Sequence, residues 1–539
     1  MQNIYPIIMF LFFSILFSGC GKGDVSNTSN SGVTSNPSTT ITLSTDCSGS
    51  NCGSSANAYK GSGIGIWRAK NTQAASSKLD VTLSNVANKE ITIVFTNEGD
   101  TDVSLSRITV DASLKREMRG NEFTENYNKI IHFEKRVDVK KLLQQSYSIN
   151  QNQKLRAISP KVWNEGDQRG WLIEPYETLE SRTATLKRQT TASDGRTINF
   201  WVENSETGKV TDGILSEISG KFLGLYSEVV NLAGKPWGTH KYSNLILDEQ
   251  PLDIVLANFD KDNRAGGVIG YFFGVNNFLS RSNSNEALAL FVDTETLYLS
   301  SMGTAITLGT MAHELTHAIN FYQRDVLSDD DFDTFLDEMT AIMMEDVLSS
   351  QIDPSYSDTK TRYISWLQNP SVYNCDFTYW KDGYYCDGKS VNNYDVAASF
   401  GAFLLRQHGI AFYKNIFKTN SDSSISNDRL RSINILGKAI KTYDNGGFGY
   451  ALQHWGASIA LFPVGISPQG FGYPVLNSDG VHLEAFDGNS YRSNRQLPSS
   501  SPSLLKAHGH FPFLRKVSSD TYAESFTVPR NVSVTIVVK

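Results

Sequence analysis

Five consecutive residues, His313-Glu314-Leu315-Thr316-His317, combine side chains that can hold a metal ion and activate water. On a helix, the two histidines lie one turn apart on the same face, so both imidazoles can reach one metal ion. Glu314 points about 100° round the helix, close enough to accept a proton from water without binding the metal. A zinc ion held in this way lowers the pKa of water towards about 7 and polarises a carbonyl group. The motif therefore predicts peptide-bond hydrolysis with Glu314 as the general base.

So short a motif can also arise by chance on a surface helix, but its flanking residues argue against that alternative. Apolar residues at helical spacing run along the segment, namely Met311, Leu315, Ala318, Ile319 and Tyr322. This stripe indicates a helix that faces the core. Two histidines on such a helix would need other partners if they did not bind a metal ion.

A third protein ligand is expected further along the chain. Zinc sites of one type place a Gly three residues and a His six residues after the second histidine, but Asn320 and Gln323 stand there and exclude that type. Sites of the other type take a Glu from a second helix. The apolar residues Phe335, Met339, Ile342 and Met343 predict such a helix, and Glu338 lies beside them. A solvated glutamate is the alternative, but the separation from His317 favours Glu338 as the third ligand.

The segments 312–320 and 337–341 resemble the hyicolysin-type zinc metallopeptidases, which belong to the wider group of thermolysin-like enzymes with a Glu as third ligand. The resemblance extends over roughly residues 195–420. It implies an endopeptidase of the gluzincin type that uses one Zn²⁺ ion. It also implies a protein that is secreted or displayed on a bacterial surface.

The same resemblance suggests roles for residues beyond the three ligands. Related enzymes place an Asp four residues after the third ligand to orient a zinc histidine, but Ile342 stands there. Glu345 and Asp346 are the alternative carboxylates for this role. Related enzymes also use a downstream Tyr or His to stabilise the oxyanion of the tetrahedral intermediate. Tyr394, at the start of an apolar helix, is the candidate, with an ordinary packing tyrosine as the alternative.

The N-terminal segment indicates export from the cytoplasm. Residues 4–17 form an apolar run shorter than the roughly 20 residues that a membrane-spanning helix needs. The run leads into Phe17-Ser18-Gly19-Cys20, which resembles a bacterial lipobox with Cys20 as the lipidated residue. Phe17 in place of the usual Leu departs from that pattern, as does the absence of Lys or Arg before the run, and secretory cleavage is the alternative. The protein is therefore expected outside the cytoplasm, anchored to a bacterial membrane through Cys20 or secreted.

The other four cysteines form two close pairs, Cys47 with Cys52 and Cys375 with Cys386. Such pairs in an exported chain predict disulfides, and neither pair has the two-residue spacing typical of a cysteine metal site. The chain of 539 residues is long enough for two or three domains, and its net charge of −7 argues against nucleic acid as a partner. A protein or peptide substrate is the partner that the motif implies.

The hydrophobic patterning predicts an α+β protein in five parts. A signal peptide at residues 1–19 precedes a lipid-anchored tether rich in Ser, Asn, Thr and Gly at 20–58. Alternating patterns mark a β-rich, sandwich-like N-terminal domain at 59–195. The catalytic domain, with a mixed sheet, the active-site helix and a helical second half, is expected at 196–425, and a helical and β region at 426–539.

Two alternatives stay open from the sequence. Residues 286–293 alternate in polarity before the active-site helix, so they fit either an edge strand that binds substrate backbone or an interior strand. The rival function is a surface-exposed binding or adhesion lipoprotein whose protease-like domain does not cleave. The intact His313, Glu314 and His317 argue against this rival.

Overall fold

The computed structural model describes residues 40–110, 130–132, 139–144, 162–176, 178–356, 358–380, 386, 390–462 and 464–539. The predicted signal peptide, Cys20 and the first part of the predicted tether lie outside these residues. Among the helices described, none combines the length and the apolar character that a membrane crossing requires.

The strands and helices are numbered in chain order. The strands are β1 Thr40–Ile41, β2 Ser44–Thr45, β3 Ser54–Ser55, β4 Ala58–Tyr59, β5 Gly65–Lys70, β6 Ser77–Ser84, β7 Lys89–Asn97, β8 Val103–Ser104, β9 Ile130–His132, β10 Gln168–Ile173, β11 Glu180–Thr191, β12 Thr197–Glu203, β13 Leu252–Ala257, β14 Gly267–Phe272, β15 Leu288–Asp293, β16 Leu476–Ser478, β17 Val481–Leu483, β18 Leu504–Leu505, β19 His510–Val517, β20 Thr521–Val528 and β21 Val532–Val538. The helices are α1 Val139–Gln144, α2 Asp212–Ala233, α3 Thr294–Leu299, α4 Gly303–Asn320, α5 Thr334–Ile352, α6 Asp358–Gln368, α7 Ser390–Ile416, α8 Asp428–Lys441 and α9 Gly447–Ala457. This mixture, with strands first, a helical second half and strands at the end, confirms the predicted α+β class.

Strands from both ends of the described chain build one β-sandwich. One sheet has the order β19-β7-β21-β5-β2, and in the other β6 pairs with β20 along one edge and with β1 and β4 along the other. Both sheets contribute to one buried core, which includes Trp67, Leu79, Phe95, Phe526 and Ile536. Because β21 is hydrogen-bonded between β5 and β7, the sandwich requires the last described strand of the chain.

This pairing shifts two of the predicted boundaries. Residues 40–58, predicted as tether, contain strands and the disulfide between Cys47 and Cys52. The disulfide and the strand pairing order a segment whose composition alone is typical of a linker. The predicted C-terminal β-element is present, but its strands β20 and β21 complete the N-terminal sandwich instead of a separate region.

A seven-stranded mixed sheet packs against the helical part, with the strand order β10-β11-β12-β13-β15-β14-β9. Strands β12, β13 and β15 are parallel, and β14 is antiparallel to β15. The predicted domain boundary between residues 195 and 196 falls in the hairpin between β11 and β12, which are paired neighbours in this sheet. β15 lies between β13 and β14 and is buried throughout, which makes the segment 286–293 an interior strand and excludes the substrate edge.

The motif helix α4 is positioned by packing against this sheet and against neighbouring helices. α4 contacts β14 and β15 on the sheet side and packs against α2 and α5. α5 in turn packs against α7, and α6 also contacts α7. The motif helix α4 therefore lies between the sheet and the helices α2 and α5.

Candidate active site

Two neighbouring helices bring the three predicted ligands together. On α4, the imidazole rings of His313 and His317 have their centroids 4.7 Å apart. From α5, Glu338 directs Oε2 to within 3.2 Å of Nε2 of His313 and 3.7 Å of Nε2 of His317. All three side chains are buried, and their ligand atoms lie within 4.8 Å of one another. The predicted set thus forms a compact group of two nitrogens and one oxygen.

Glu314 is buried beneath β14, beside this group. A Cβ atom at Gly270 of β14 would collide with Thr310 Cγ2 and lie 3.4 Å from Glu314 Cγ, so β14 can approach α4 this closely only with glycine there. Burial raises the pKa of Glu314 to about 7, although the histidine charges and a backbone hydrogen bond from Phe272 lower it. A carboxylate with this pKa can accept and release a proton near neutral pH, as a general base must.

The second ring nitrogen of His313 is held by a carboxylate. Its Nδ1 lies 2.7 Å from Glu345 Oε1. Of the two carboxylates left open by the sequence, Glu345 therefore orients the histidine. The neighbouring Asp346 instead forms a buried ion pair with Arg406, with 2.6 Å between Oδ2 and Nη1.

The second ring nitrogen of His317 also faces a carboxylate, one that the sequence analysis missed. Nδ1 of His317 lies 3.0 Å from Asp337 Oδ1, and Asn320 Nδ2 donates to the same oxygen at 2.5 Å. Two signals could have indicated this arrangement: an acid directly before the ligand Glu338, and an amide almost one turn after His317. A carboxylate from α5 thus lies within 3.0 Å of Nδ1 of each histidine.

Tyr394, the residue proposed from the sequence for the oxyanion, is brought beside Glu338 by α7. Its hydroxyl donates to Glu338 Oε1 at 2.9 Å, on the oxygen opposite to the one that faces the histidines. The guanidinium of Arg362 lies over its ring, 5.5 Å from the centroid. Tyr394 is thus hydrogen-bonded to the candidate ligand Glu338. Its role in stabilising the oxyanion stays a prediction.

The chemistry of these donors fits a zinc ion. Burial alone would lower the pKa of His313, but hydrogen bonds with Glu338 and Glu345 outweigh burial and raise it to about 9. Burial alone would raise the pKa of Glu338, but the two histidines lower it. Without a metal ion, the two imidazoles and the carboxylate share protons. A cation that displaces these protons would bind to three side chains that are already oriented. Three such ligands with carboxylates behind the histidines match zinc sites that keep a position for water.

A second acidic group lies in the loop between β13 and β14 and at the start of α3. Carboxylate oxygens of Asp260, Asp262 and Glu295 lie within 4.8 Å of one another. Glu295 already accepts hydrogen bonds from the Asn258 side chain and the Asn263 backbone. We assign no ion there, because these bonds within the protein account for the buried carboxylate.

Both predicted disulfides are present. The Cα atoms of Cys47 and Cys52 are 5.5 Å apart and those of Cys375 and Cys386 are 5.2 Å apart, with the sulfur atoms of each pair bonded. The second bridge lies in the segment between α6 and α7, and α7 carries Tyr394. The pairing of the cysteines is therefore confirmed.

Three buried donors with a buried carboxylate beside them are the arrangement found in metal-dependent hydrolases. Comparison with known families agrees, because residues 179–539 match Peptidase M30. This match covers more than half of the chain, and the chain belongs to the peptidase M30 family, a family of metallopeptidases. The family predicted from the motif is thereby confirmed. Residues 45–110, in the sandwich, match a domain of unknown function, DUF8571.

Other comparisons add little. The chain matches none of the curated proteins. Among solved structures, it is similar to the crystal structure of a functionally unknown conserved protein from Bacillus anthracis str. Ames, with 9% identity and a TM-score of 0.24. That similarity covers 46% of this chain and 44% of the other, so the chain spans less than half the length of that protein. So weak a likeness carries no argument about fold or activity.

Proposed function

We propose that this peptidase is a zinc-dependent endopeptidase whose metal ion is held by His313, His317 and Glu338. The observation that carries the proposal is the burial of these three donors at ligand distance, with Glu314 beside them. When bound, a zinc ion polarises the carbonyl of the scissile peptide and lowers the pKa of water towards about 7. Neither the family nor the intact ligand set supports the rival adhesion function.

Glu314 is proposed as the general base. It takes a proton from the attacking water and delivers that proton to the nitrogen of the leaving amine. Its pKa of about 7, raised by burial, suits both transfers near neutral pH. The carboxylates on Nδ1 of each histidine keep Nε2 directed at Glu338 and so keep the donors in place.

The substrate backbone is proposed to add to β14. β15 lies inside the sheet, whereas β14 packs on α4, and the Phe272 backbone at its end hydrogen-bonds Glu314. β9 pairs with β14 only from Gly267 to Gly270. Among the strands described, none pairs with the same edge of β14 beyond Gly270. An extended peptide that pairs with this part of β14 would place its backbone beside the general base.

We further propose that the protein acts outside the cytoplasm, lipid-anchored through Cys20 to a bacterial membrane. The two disulfides support an oxidising compartment. A Cys20→Ala variant should move from the membrane fraction to the soluble fraction or remain unprocessed. Wild-type protein recovered wholly soluble, with Cys20 unmodified or removed, would contradict the anchor.

The test of the zinc peptidase is a cleavage assay beside a metal measurement. Purified protein should contain about one zinc per chain and should cleave an unstructured protein such as casein. A chelator should abolish cleavage, and added zinc should restore it. Protein that binds zinc but cleaves no substrate would favour the adhesion function. Cleavage that persists in protein shown to be free of metal would overturn the proposal.

A further inference from the structure

Glu345 divides its two oxygens between the metal centre and a residue outside it. Oε1 lies 2.7 Å from Nδ1 of His313, and Oε2 accepts a hydrogen bond of 3.1 Å from the hydroxyl of Tyr356. Glu345 is only 3% exposed, so solvent hardly reaches its charge, and the charge of Arg362 also acts on it. Tyr356 lies in the short segment between α5 and α6, four residues after the end of the ligand helix.

Tyr356 also rests on the motif helix itself. A Cβ atom at Gly309 of α4 would lie 2.6 Å from the hydroxyl oxygen of Tyr356 and 3.1 Å from its Cζ. The first distance is too short for non-bonded atoms, so a larger residue at this position would push the tyrosine hydroxyl aside. Glycine weakens a helix interior relative to alanine. Its position one turn before His313, on the same face, is explained by the tyrosine that it admits.

We propose that Tyr356 is a positioning residue of the metal centre, which holds Glu345 and through it the ring of His313. This inference rests on the proposed zinc site. A neutral histidine that binds a metal through Nε2 carries its proton on Nδ1, and Glu345 is the acceptor for that proton. With one oxygen tied to Tyr356, the carboxylate has a single orientation towards His313. Without the hydroxyl, the buried carboxylate loses a donor, and the imidazole becomes less well oriented.

The inference is tested by the affinity for zinc of a Tyr356→Phe variant, which removes one hydroxyl. Affinity is measured by competition with a chelating indicator of known affinity. Loss of a partner outside the ligands typically weakens metal binding about 10- to 100-fold, and we expect about 10-fold here because Tyr356 acts through Glu345. Replacing zinc with cobalt(II) gives a second readout, since the visible absorption of the bound ion reports its ligand field. That spectrum should shift in the variant.

The matched control is Tyr373→Phe, which also removes a buried tyrosine hydroxyl. Tyr373 donates to the backbone oxygen of Leu367 at 2.9 Å and takes no part in the metal centre. It should lower the melting temperature of the metal-free protein without changing the zinc affinity or the cobalt spectrum. If Tyr356→Phe behaves in the same way, Tyr356 is a packing residue and the inference is wrong. If wild-type protein binds no metal, the proposed function fails instead.

A second variant keeps the test decisive if Tyr356→Phe is poorly folded. Gly309→Ala introduces a methyl group where the hydroxyl of Tyr356 lies, so it should displace the tyrosine and weaken zinc binding by a similar factor. In the double variant the two losses should not multiply, because both act through the same hydrogen bond. Independent losses, or wild-type affinity in Gly309→Ala, would overturn the inference.

Discussion

Individual carboxylates in the metal centre use their two oxygens for different purposes. Glu338 directs Oε2 to the histidines and Oε1 to Tyr394, while Glu345 directs Oε1 to His313 and Oε2 to Tyr356. A buried charge is tolerated when its oxygens are paired and is strongly destabilising when a partner is removed. The hydrogen bonds that satisfy these charges therefore also fix the directions of the ligands.

Glu314→Gln should separate proton transfer from metal binding. Glutamine retains the size of the side chain but cannot take a proton from water. We expect the zinc content of wild type, and cleavage slower by at least about a hundredfold. Zinc content and cleavage rate measured on the same preparation check both parts. Turnover equal to that of wild type would mean that α4 is not the catalytic element.

Tyr394→Phe should distinguish a role at the ligand from a role at the oxyanion. Because the hydroxyl donates to Glu338, we expect zinc affinity to fall about tenfold or more, with turnover largely restored at saturating zinc. The measurements are the dissociation constant for zinc and kcat over a range of zinc concentrations. A loss of kcat of about 10² or more that persists at saturating zinc would instead support oxyanion stabilisation.

Among the structural elements, the segment between α6 and α7 is tied by a disulfide and leads to the helix that carries Tyr394. The bridge Cys375–Cys386 spans a separation of 11 residues, and Cys47–Cys52 in the sandwich spans 5. A longer closed loop removes more conformational entropy from the unfolded chain. The two bridges should therefore differ in what they contribute to stability.

Replacing Cys375 and Cys386 together with serine should lower the free energy of unfolding by about 3 kcal/mol, against about 2 kcal/mol for the matched double variant of Cys47 and Cys52. Denaturant unfolding of the two variants and wild type gives both differences. Free thiols at Cys375 and Cys386 in the exported wild-type protein would contradict the prediction, because no bridge would then stabilise the protein there.

Within the single compact unit that holds the described residues, the sandwich meets the helical part at α9. His510, on β19, is buried with its ring 4.9 Å from the ring of Trp455 on α9, and its Nδ1 lies 2.9 Å from the Thr96 hydroxyl. Burial lowers the pKa of His510 from 6.5 to about 3, and the charge of His508 adds to this effect. The histidine is therefore neutral in the folded protein at all but very acidic pH.

The contribution of His510 to the free energy of unfolding should fall as pH decreases from 6.5 towards 3. In the unfolded chain His510 takes up a proton below its ordinary pKa of 6.5, while in the folded protein it stays neutral, so acid favours unfolding. Denaturant unfolding at several pH values should show this slope reduced by about one proton in His510→Phe. His482→Phe is the control, because His482 is 51% exposed. Equal slopes in His510→Phe and wild type would contradict the assignment.

The motif helix, the candidate ligand Glu338 and the paired cysteines could be predicted from the sequence because their signals are local. Histidines four residues apart share a face of any helix, and a glutamate beside an apolar stripe lies on a helix next to the core. The roles of Asp337 and Tyr356 depended on which residues of α5 and its following segment face α4. No spacing along the chain encodes that contact.

The sheets show most clearly the difference between what local patterns predict and what the tertiary structure decides. Alternation predicted strands, but it could not tell an interior strand from an edge, so only the fold placed β15 between β13 and β14. Nor could it show that β21 pairs with β5 and β7, more than four hundred residues earlier in the chain. The sequence by itself determined the candidate ligands and the chemistry that they can support, since those follow from residue type and helical period. The tertiary structure decided which side chains hold the ligands and where the domains begin, because strand pairing and helix packing join residues that no local pattern relates.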